Sequence, residues 1–312
     1  QNSPAWCLHP LMSEHITVRN LTVLNPWYAQ NGDGLDLESC KNVLIENSRF
    51  DVGDDGICIK SGRDEAGRQR AMPTENVLVK NCVVYHAHGG FVIGSEMSGG
   101  AKNIIVEDCT FIGTDIGLRF KTTRGRGGIV ENIFIRNISM KNIPGEAILF
   151  DMYYAAQDPI PLPGEERKPP VVQTLPVTAE TPRFRNFTIK NVTCYGAQKA
   201  IYVRGLPEMN VENIVLEDMV LQAATGLDMI EGTNISLKNI RFITANTNPV
   251  MNIHNSSNIG LNTITYNNNA DLLLNVTGDK TKGINLKSTD TGKAKKKASF
   301  SYGATETSVQ VN

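Results

Sequence analysis

The sequence predicts an all-β chain folded as a right-handed parallel β-helix of about 9–10 coils. Two recurring phrases and the composition carry this prediction. The first phrase, Asn-apolar-x-apolar-x-Asn/Asp, reads NVLIEN at Asn42, NVLVKN at Asn76, NIIVED at Asn103 and NIFIRN at Asn132. It returns as NFTIKN at Asn186, NIVLED at Asn213 and NISLKN at Asn234, with weaker copies at His15 and Asn258. The second phrase follows in each unit: GLDLES from Gly34, GICIKS from Gly56, GFVIGS from Gly90 and GLRFKT from Gly117. AILFDM, AIYVRG and GLDMIE, from Ala147, Ala200 and Gly226, extend that series. Few aromatics, abundant Asn and β-branched residues at the periodic positions suit stacked strands better than helices.

Each phrase alternates with a period of two, so its apolar members face one side. In the first phrase the pair such as Val43 and Ile45 points inward. The closing Asn or Asp suits a tight bend because it tolerates left-handed backbone. In the second phrase Leu35, Ile57, Phe91, Leu118, Ile148, Ile201 and Leu227 point inward, and the outward members are polar and vary. Coils that stack in this way share one core and pair their backbones from turn to turn. Leucine-rich repeats are the competing architecture, but their leucine and helix positions are missing.

The repeat extends across the chain and predicts one domain over 1–312. Ser61 to Thr74 reads as a basic loop with Arg63, Arg68 and Arg70. Residues 151–182 form a longer, Pro-rich insertion, expected as a binding wall. The segment from about 278 to 312, with the lysines near Lys293, reads as a solvated cap over the last coil. SPAWCLHP resembles DDGICIKS, so the chain reads as beginning in mid-coil, with N-terminal coils and any targeting segment expected upstream. The absence of a signal peptide is therefore no argument for the cytoplasm.

Lys and Arg number 31 against 32 Asp and Glu, a balance that disfavours nucleic acid or an anionic membrane as partner. No apolar run approaches a membrane span. The six cysteines show neither zinc spacing nor a disulfide framework, and Cys82 and Cys109 read as core thiols at equivalent repeat positions.

Chemistry collects on consecutive copies of the second phrase. Asp33 precedes GLDLES and Asp55 precedes GICIKS, so the two stack on neighbouring rungs, roughly 4.8 Å apart. Asp54 and His88 share the column just before, and Arg119 and Lys121 point outward from GLRFKT. Three crowded carboxylates are costly unless their protons are in use. An outward charge ladder that merely aids solubility would scatter, whereas these groups converge and alternate with Gly. Cys58, outward beside Asp36, reads as a bystander, because no base is spaced to activate it. Tyr153 and Tyr154 are candidates to stack on sugar, or to pack the groove wall.

NGDG, GDDG, HGG and RFK, in that order, resemble the four motifs of the polygalacturonase family of glycoside hydrolases. There the motifs usually read N-T-D, a DD pair, G-H-G and R-I-K. The resemblance implies inverting hydrolysis of α-1,4-linked galacturonic acid in pectin or related pectic chains. Asp54 would be the general acid, Asp33 and Asp55 would activate water, and His88 would support the acid. Arg119 and Lys121 would hold the sugar carboxylate, and Asn31 matches the first motif position. Arg63 and Tyr153 are further candidates for substrate binding. SGRDEAG and the SEMSGG run resemble the exo-acting or rhamnogalacturonan-type branches more than the fungal endo enzymes.

The chemistry asks for the same residue types. Inversion needs one protonated carboxyl at the leaving oxygen and one carboxylate on a water, and a uronate invites cations. Three departures stand out: Gly32 for Thr, His88 in AHGG rather than GHG, and Phe120 for Ile. By register Phe120 faces inward and leaves both cations in place. Gly32 removes a hydroxyl that could orient Asp33. The implied protein is a secreted or periplasmic monomer without cofactor or metal, acting on a pectic polysaccharide or oligogalacturonide. Endo versus exo action stays open, as does galacturonan versus rhamnogalacturonan. Two other classes fit the β-helix: a pectate or rhamnogalacturonan lyase, with the Asp cluster holding calcium, and a non-catalytic carbohydrate-binding module.

Overall fold

The computed structural model describes residues 2–154 and 172–312. Its strands pair in parallel from turn to turn and form a β-helix. One inward residue per turn traces the stack: Ile16, Val43, Val77, Ile104, Ile133, Phe187, Ile214, Ile235, Ile259, Ile284 and Val309 are successive register partners. The stack is thus slightly taller than the repeats suggest.

Each early coil has three strands where the phrases show two. A short strand follows the first phrase, as in Thr22–Leu24, Arg49–Asp51 and Val83–Tyr85, which stack on one another. It begins after the closing Asn or Asp, where the chain turns through left-handed backbone: φ is 51° at Asn47, 53° at Asn81 and 57° at Asp108. The opening Asn of the phrase is left-handed too, at Asn42, Asn76 and Asn103. Both columns form amide ladders. Asn76 Nδ2 donates to Asn42 Oδ1 at 3.1 Å, and Asn103 Nδ2 donates to Asn76 Oδ1 at 3.2 Å. Asn therefore satisfies two demands at each corner, a backbone that L-residues avoid and a partner above and below.

The inward rows form one continuous apolar core. Phe120 belongs to it, with ring centroids 4.6 Å from Phe150 and 4.9 Å from Phe187. The six cysteines are unbridged, and Cys82 and Cys109 are buried. Ser61 to Thr74, expected as a loop, contains the helix Asp64–Arg70, which has acidic residues in its first turn and basic ones in its last. Most of the insertion expected at 151–182 lies outside the described residues. Residues 278–312, expected to cap the last coil, carry the strands Lys282–Lys287, Ala294–Ser301 and Val309–Val311, which pair in parallel with the coils before them. No helix among the described residues is long and apolar enough to cross a membrane.

Candidate active site

The third strand of each coil builds the site. Leu35, Ile57, Phe91 and Leu118 are register partners on four consecutive rungs. That register sets Asp33 above Asp55, and the chain is tied there by Gly34 N–H donating to Asp55 O at 2.9 Å. Asp55 in turn pairs with Gly89. A Cβ on Gly89 would stand 2.4 Å from Val92 Cγ2 and 3.3 Å from Arg119 Cδ. The HGG glycine therefore leaves the path along which Arg119 crosses a rung, and its Nη1 lies 3.3 Å from Asp55 Oδ1.

Lys121 reaches the other oxygen, Nζ to Oδ2, at 2.6 Å. Lys121, expected to hold the sugar carboxylate, is thus also a partner of Asp55. Lys121 does point away from the apolar core, but it is buried in the groove and its charge is committed to Asp55. Arg119 remains the more open of the two cations. The aromatic expectation changes as well. Tyr153 is only 3% exposed and lies under Arg204, whose Cζ is 4.1 Å from the ring centroid. It is Tyr154 whose ring faces the cations, 4.8 Å from Lys121 Nζ and 5.5 Å from Arg119 Cζ.

Asp54 sits at the edge, with its side chain 21% exposed. Its Oδ1 accepts the Asp55 N–H at 2.9 Å and lies 3.2 Å from His88 Nδ1. His88 Nε2 is 3.7 Å from Asp115 Oδ2, an acid that the motifs do not include. The bond to Asp54 holds the His88 imidazole above its usual range against partial burial. His88 thus bridges Asp54 and Asp115 in one column, despite its AHGG setting.

Asn31 is an exposed turn residue with φ 53°. At Gly32 a Cβ would stand 2.8 Å from Ala29 O, so this turn has no room for the usual Thr. Asn25, which no motif flags, supports the turn instead: its Nδ2 donates to Gly32 O at 3.2 Å and more weakly to Asp33 O at 3.4 Å. Arg63 is not brought to the carboxylates. It precedes the helix, is largely exposed and lies 3.4 Å from Asp64.

A second buried cluster adjoins the first. Lys60 Nζ lies 3.0 Å from Glu96 and 3.3 Å from Asp36, with Trp6 against it at 4.5 Å to the ring centroid. One ammonium neutralises one carboxylate, and the nearer and more exposed Glu96 is the charged partner. Burial alone would raise Glu96, but Lys60 brings it down to about 2. Asp36 is fully buried and stays protonated, raised to about 9 by burial against the pull of Lys60. Asp36 and Lys60 were open to detection as outward members of GLDLES and GICIKS.

The stacked pair divides in the same way. Burial, with Asp55 as a like-charged neighbour, raises Asp33 to about 7. Burial opposes ionisation of Asp55 too, but Lys121, Arg119 and Lys60 outweigh it and bring that carboxyl to about 2. Asp33, Asp55 and Cys58 each present a potential ligand atom, all within 4.8 Å of one another. Two cations already hold Asp55. Burial keeps the Cys58 thiol protonated, and it donates to Gly94 O at 3.2 Å. This charge pattern does not suit a divalent cation.

These shifts set a pH dependence of stability. Asp33 and Asp36 are raised from the ordinary 3.8, so their contribution is complete below that value and is lost as pH rises through about 7 and about 9. Asp55 and Glu96 are depressed, so theirs is present above their ordinary values and is lost as pH falls through about 2. The melting temperature is expected to peak near about pH 4–5 and to decline toward alkaline pH. Asp36→Asn should flatten the alkaline part of that decline. A melting temperature that climbed steadily to pH 8 in a scan across buffers would contradict these assignments.

Carboxylates, an imidazole and cations thus converge on one strand column of a parallel β-helix. The chain belongs to glycosyl hydrolases family 28, whose family model matches residues 1–219. A probable polygalacturonase from Vitis vinifera is 38% identical over 143 residues, covering 46% of this chain and 29% of that protein. An exo-poly-alpha-D-galacturonosidase from Dickeya chrysanthemi is 28% identical over 239 residues, 74% of this chain and 37% of its own length. The crystal structure of a hyperthermoactive exopolygalacturonase from Thermotoga maritima matches with a TM-score of 0.65 and 34% sequence identity, covering 77% of this chain and 50% of that one. The chain thus spans half or less of the length of these relatives. None of the three is a lyase.

Proposed function

We propose that this chain hydrolyses α-1,4-linked galacturonic acid in pectic polysaccharide, by single displacement with inversion and from a chain end. The observation that carries the reading is the unequal pair. Asp55 is held ionised between Arg119 and Lys121, while Asp33, stacked on it, keeps a proton below about 7. A carboxylate held ionised can take a proton from water, and the protonated Asp33 beside it adds no second charge to that place. Asp55 orients the water and takes its proton as the new C–O bond forms at the anomeric carbon. Asp33 shares that water through its carboxyl. Asp54, at the open edge, gives its proton to the departing glycosidic oxygen, and His88 holds Asp54 in place. Arg119, beside Tyr154, meets the uronate carboxylate. No cofactor is needed for these steps.

The exo reading is supported by the names of the Dickeya and Thermotoga relatives. A polymeric substrate, which does not cross membranes, supports a secreted or periplasmic location. The test is an incubation with polygalacturonate, followed by chromatography and proton NMR of the first products. Short saturated products released from the start, with the new reducing end in the β configuration, are expected. Unsaturated products that depend on added calcium would overturn the reading in favour of a lyase. Long fragments appearing first would overturn the exo part alone.

A further inference from the structure

Beside Asp54 and His88 the site opens into a cleft of about 860 Å³, lined by Trp27, Asp51, His86, His88 and Asp115 among others. Two features set it apart from the opposite flank of the carboxylates. The first is an exposed aromatic on a fixed support. Trp27 is 75% exposed. Its turn is closed by Ala29 N–H donating to Pro26 O at 2.9 Å and by Gly32 N–H donating to Ala29 O at 3.0 Å. That turn docks on the residue next to Asp54: a Cβ on Gly53 would stand 2.3 Å from Pro26 O. The backbone that carries the indole is thus fixed at the rim of the site.

The second feature is charge. Asp51 faces His86 at 3.2 Å and Asp115 faces His88 at 3.7 Å. Among the described residues lining the cleft there is no Lys or Arg. The other flank carries Arg119, the more open cation of the site, while Lys121 and Lys60 there are paired with Asp55 and Glu96. A carboxylate would be attracted to that flank and repelled from the cleft, where it would meet Asp51 and Asp115 with no permanent cation to pair with. The apolar C–H face of a pyranose, in contrast, would cover the indole and remove it from water.

We propose that this cleft is the subsite for a sugar ring without a charged carboxylate, either a methyl-esterified uronate or a neutral pyranose. Its face lies on Trp27, across the scissile bond from the uronate held at Arg119. The inference rests on the hydrolase reading for the placement of that bond. It makes the substrate a pectic chain in which an acidic ring and an uncharged ring meet at the point of cleavage.

Affinity is read by titration calorimetry and occupancy of the cleft by tryptophan emission, because the chain has only Trp6 and Trp27. The chain and its Trp27→Ala variant are titrated, at about pH 7.5, with digalacturonate, its two singly methyl-esterified isomers and a neutral galactosyl disaccharide. One esterified isomer is expected to bind about tenfold more tightly than the diacid. That advantage and its emission change should vanish in Trp27→Ala, while binding of the diacid stays as it was. A response to the neutral disaccharide marks a neutral sugar as sufficient, and its absence marks the ester as the occupant. Diacid binding equal to or tighter than both isomers would overturn the subsite, as would an ester advantage that persists without Trp27. Because the readout needs no turnover, absence of hydrolysis alongside the expected binding would remove the hydrolase reading and leave the cleft assignment standing.

Discussion

Asp54→Asn is expected to slow hydrolysis of oligogalacturonates by about 10²–10⁴-fold, the usual contribution of a positioned proton donor. The variant keeps the shape of the side chain. Asn can still accept the Asp55 N–H that Asp54 Oδ1 accepts at 2.9 Å, and the position is partly open to solvent, so folding should be little disturbed. The amide has no proton to give to the leaving oxygen. A galacturonide with a strongly acidic phenol as leaving group needs no such proton and should lose far less of its rate. That contrast separates a general acid from a residue that merely shapes the groove. Equal losses on both substrates would mean that the proton comes from elsewhere, with Asp33 the next candidate because it holds a proton below about 7.

Lys121→Ala should cost both stability and rate. Removing one partner of a buried ion pair leaves an uncompensated charge and typically costs about 3–5 kcal/mol. Here Arg119 stays on the other oxygen of Asp55, which places the loss toward the lower end of that range. Without Lys121 the Asp55 carboxyl should climb from about 2, because burial then meets less opposition. The acid limb of the rate–pH profile should move up with it, since a protonated Asp55 cannot accept the proton of water. Lys121→Arg keeps the charge and should restore most of the stability. Urea unfolding of the three proteins, with rates measured from about pH 3 upward, checks both effects. If Lys121→Ala unfolded at the parent urea concentration and kept the parent acid limb, the pairing with Asp55 would have no bearing on the site.

Much of the site is legible in the chain because a β-helix converts sequence spacing into spatial column. The alternation in GLDLES, GICIKS, GFVIGS and GLRFKT assigns Leu35, Ile57, Phe91 and Leu118 to one inward row, and the register partners agree. Once that row is known, Asp33 must stand over Asp55 and Asp54 must neighbour His88. Phe120 inside the RFK run is inward by the same count and is buried. The extra strand after each closing Asn was less visible. At three residues it is too short to show a period of its own. The helix Asp64–Arg70 escaped for a similar reason, since two turns among charged residues leave no apolar stripe.

The sequence by itself determined the architecture and the meeting of the carboxylates, because both follow from periodicity, and parallel backbone pairing carries that periodicity from Leu35 through Ile57 and Phe91 to Leu118. Only the tertiary structure decided how those groups share charge. Whether Lys121 is free for a substrate or bound to Asp55 depends on a long side chain reaching back across two rungs. Whether Tyr153 or Tyr154 faces the cations depends on the course of the chain after its strand ends, where alternation no longer applies. Trp27 and Asp115 come to the rim of the site from a turn and a corner that no repeat describes. Protonation is decided at the same level. Asp33 and Asp55 are the same residue type at equivalent repeat positions, and they are driven apart by burial and by which cations reach each of them.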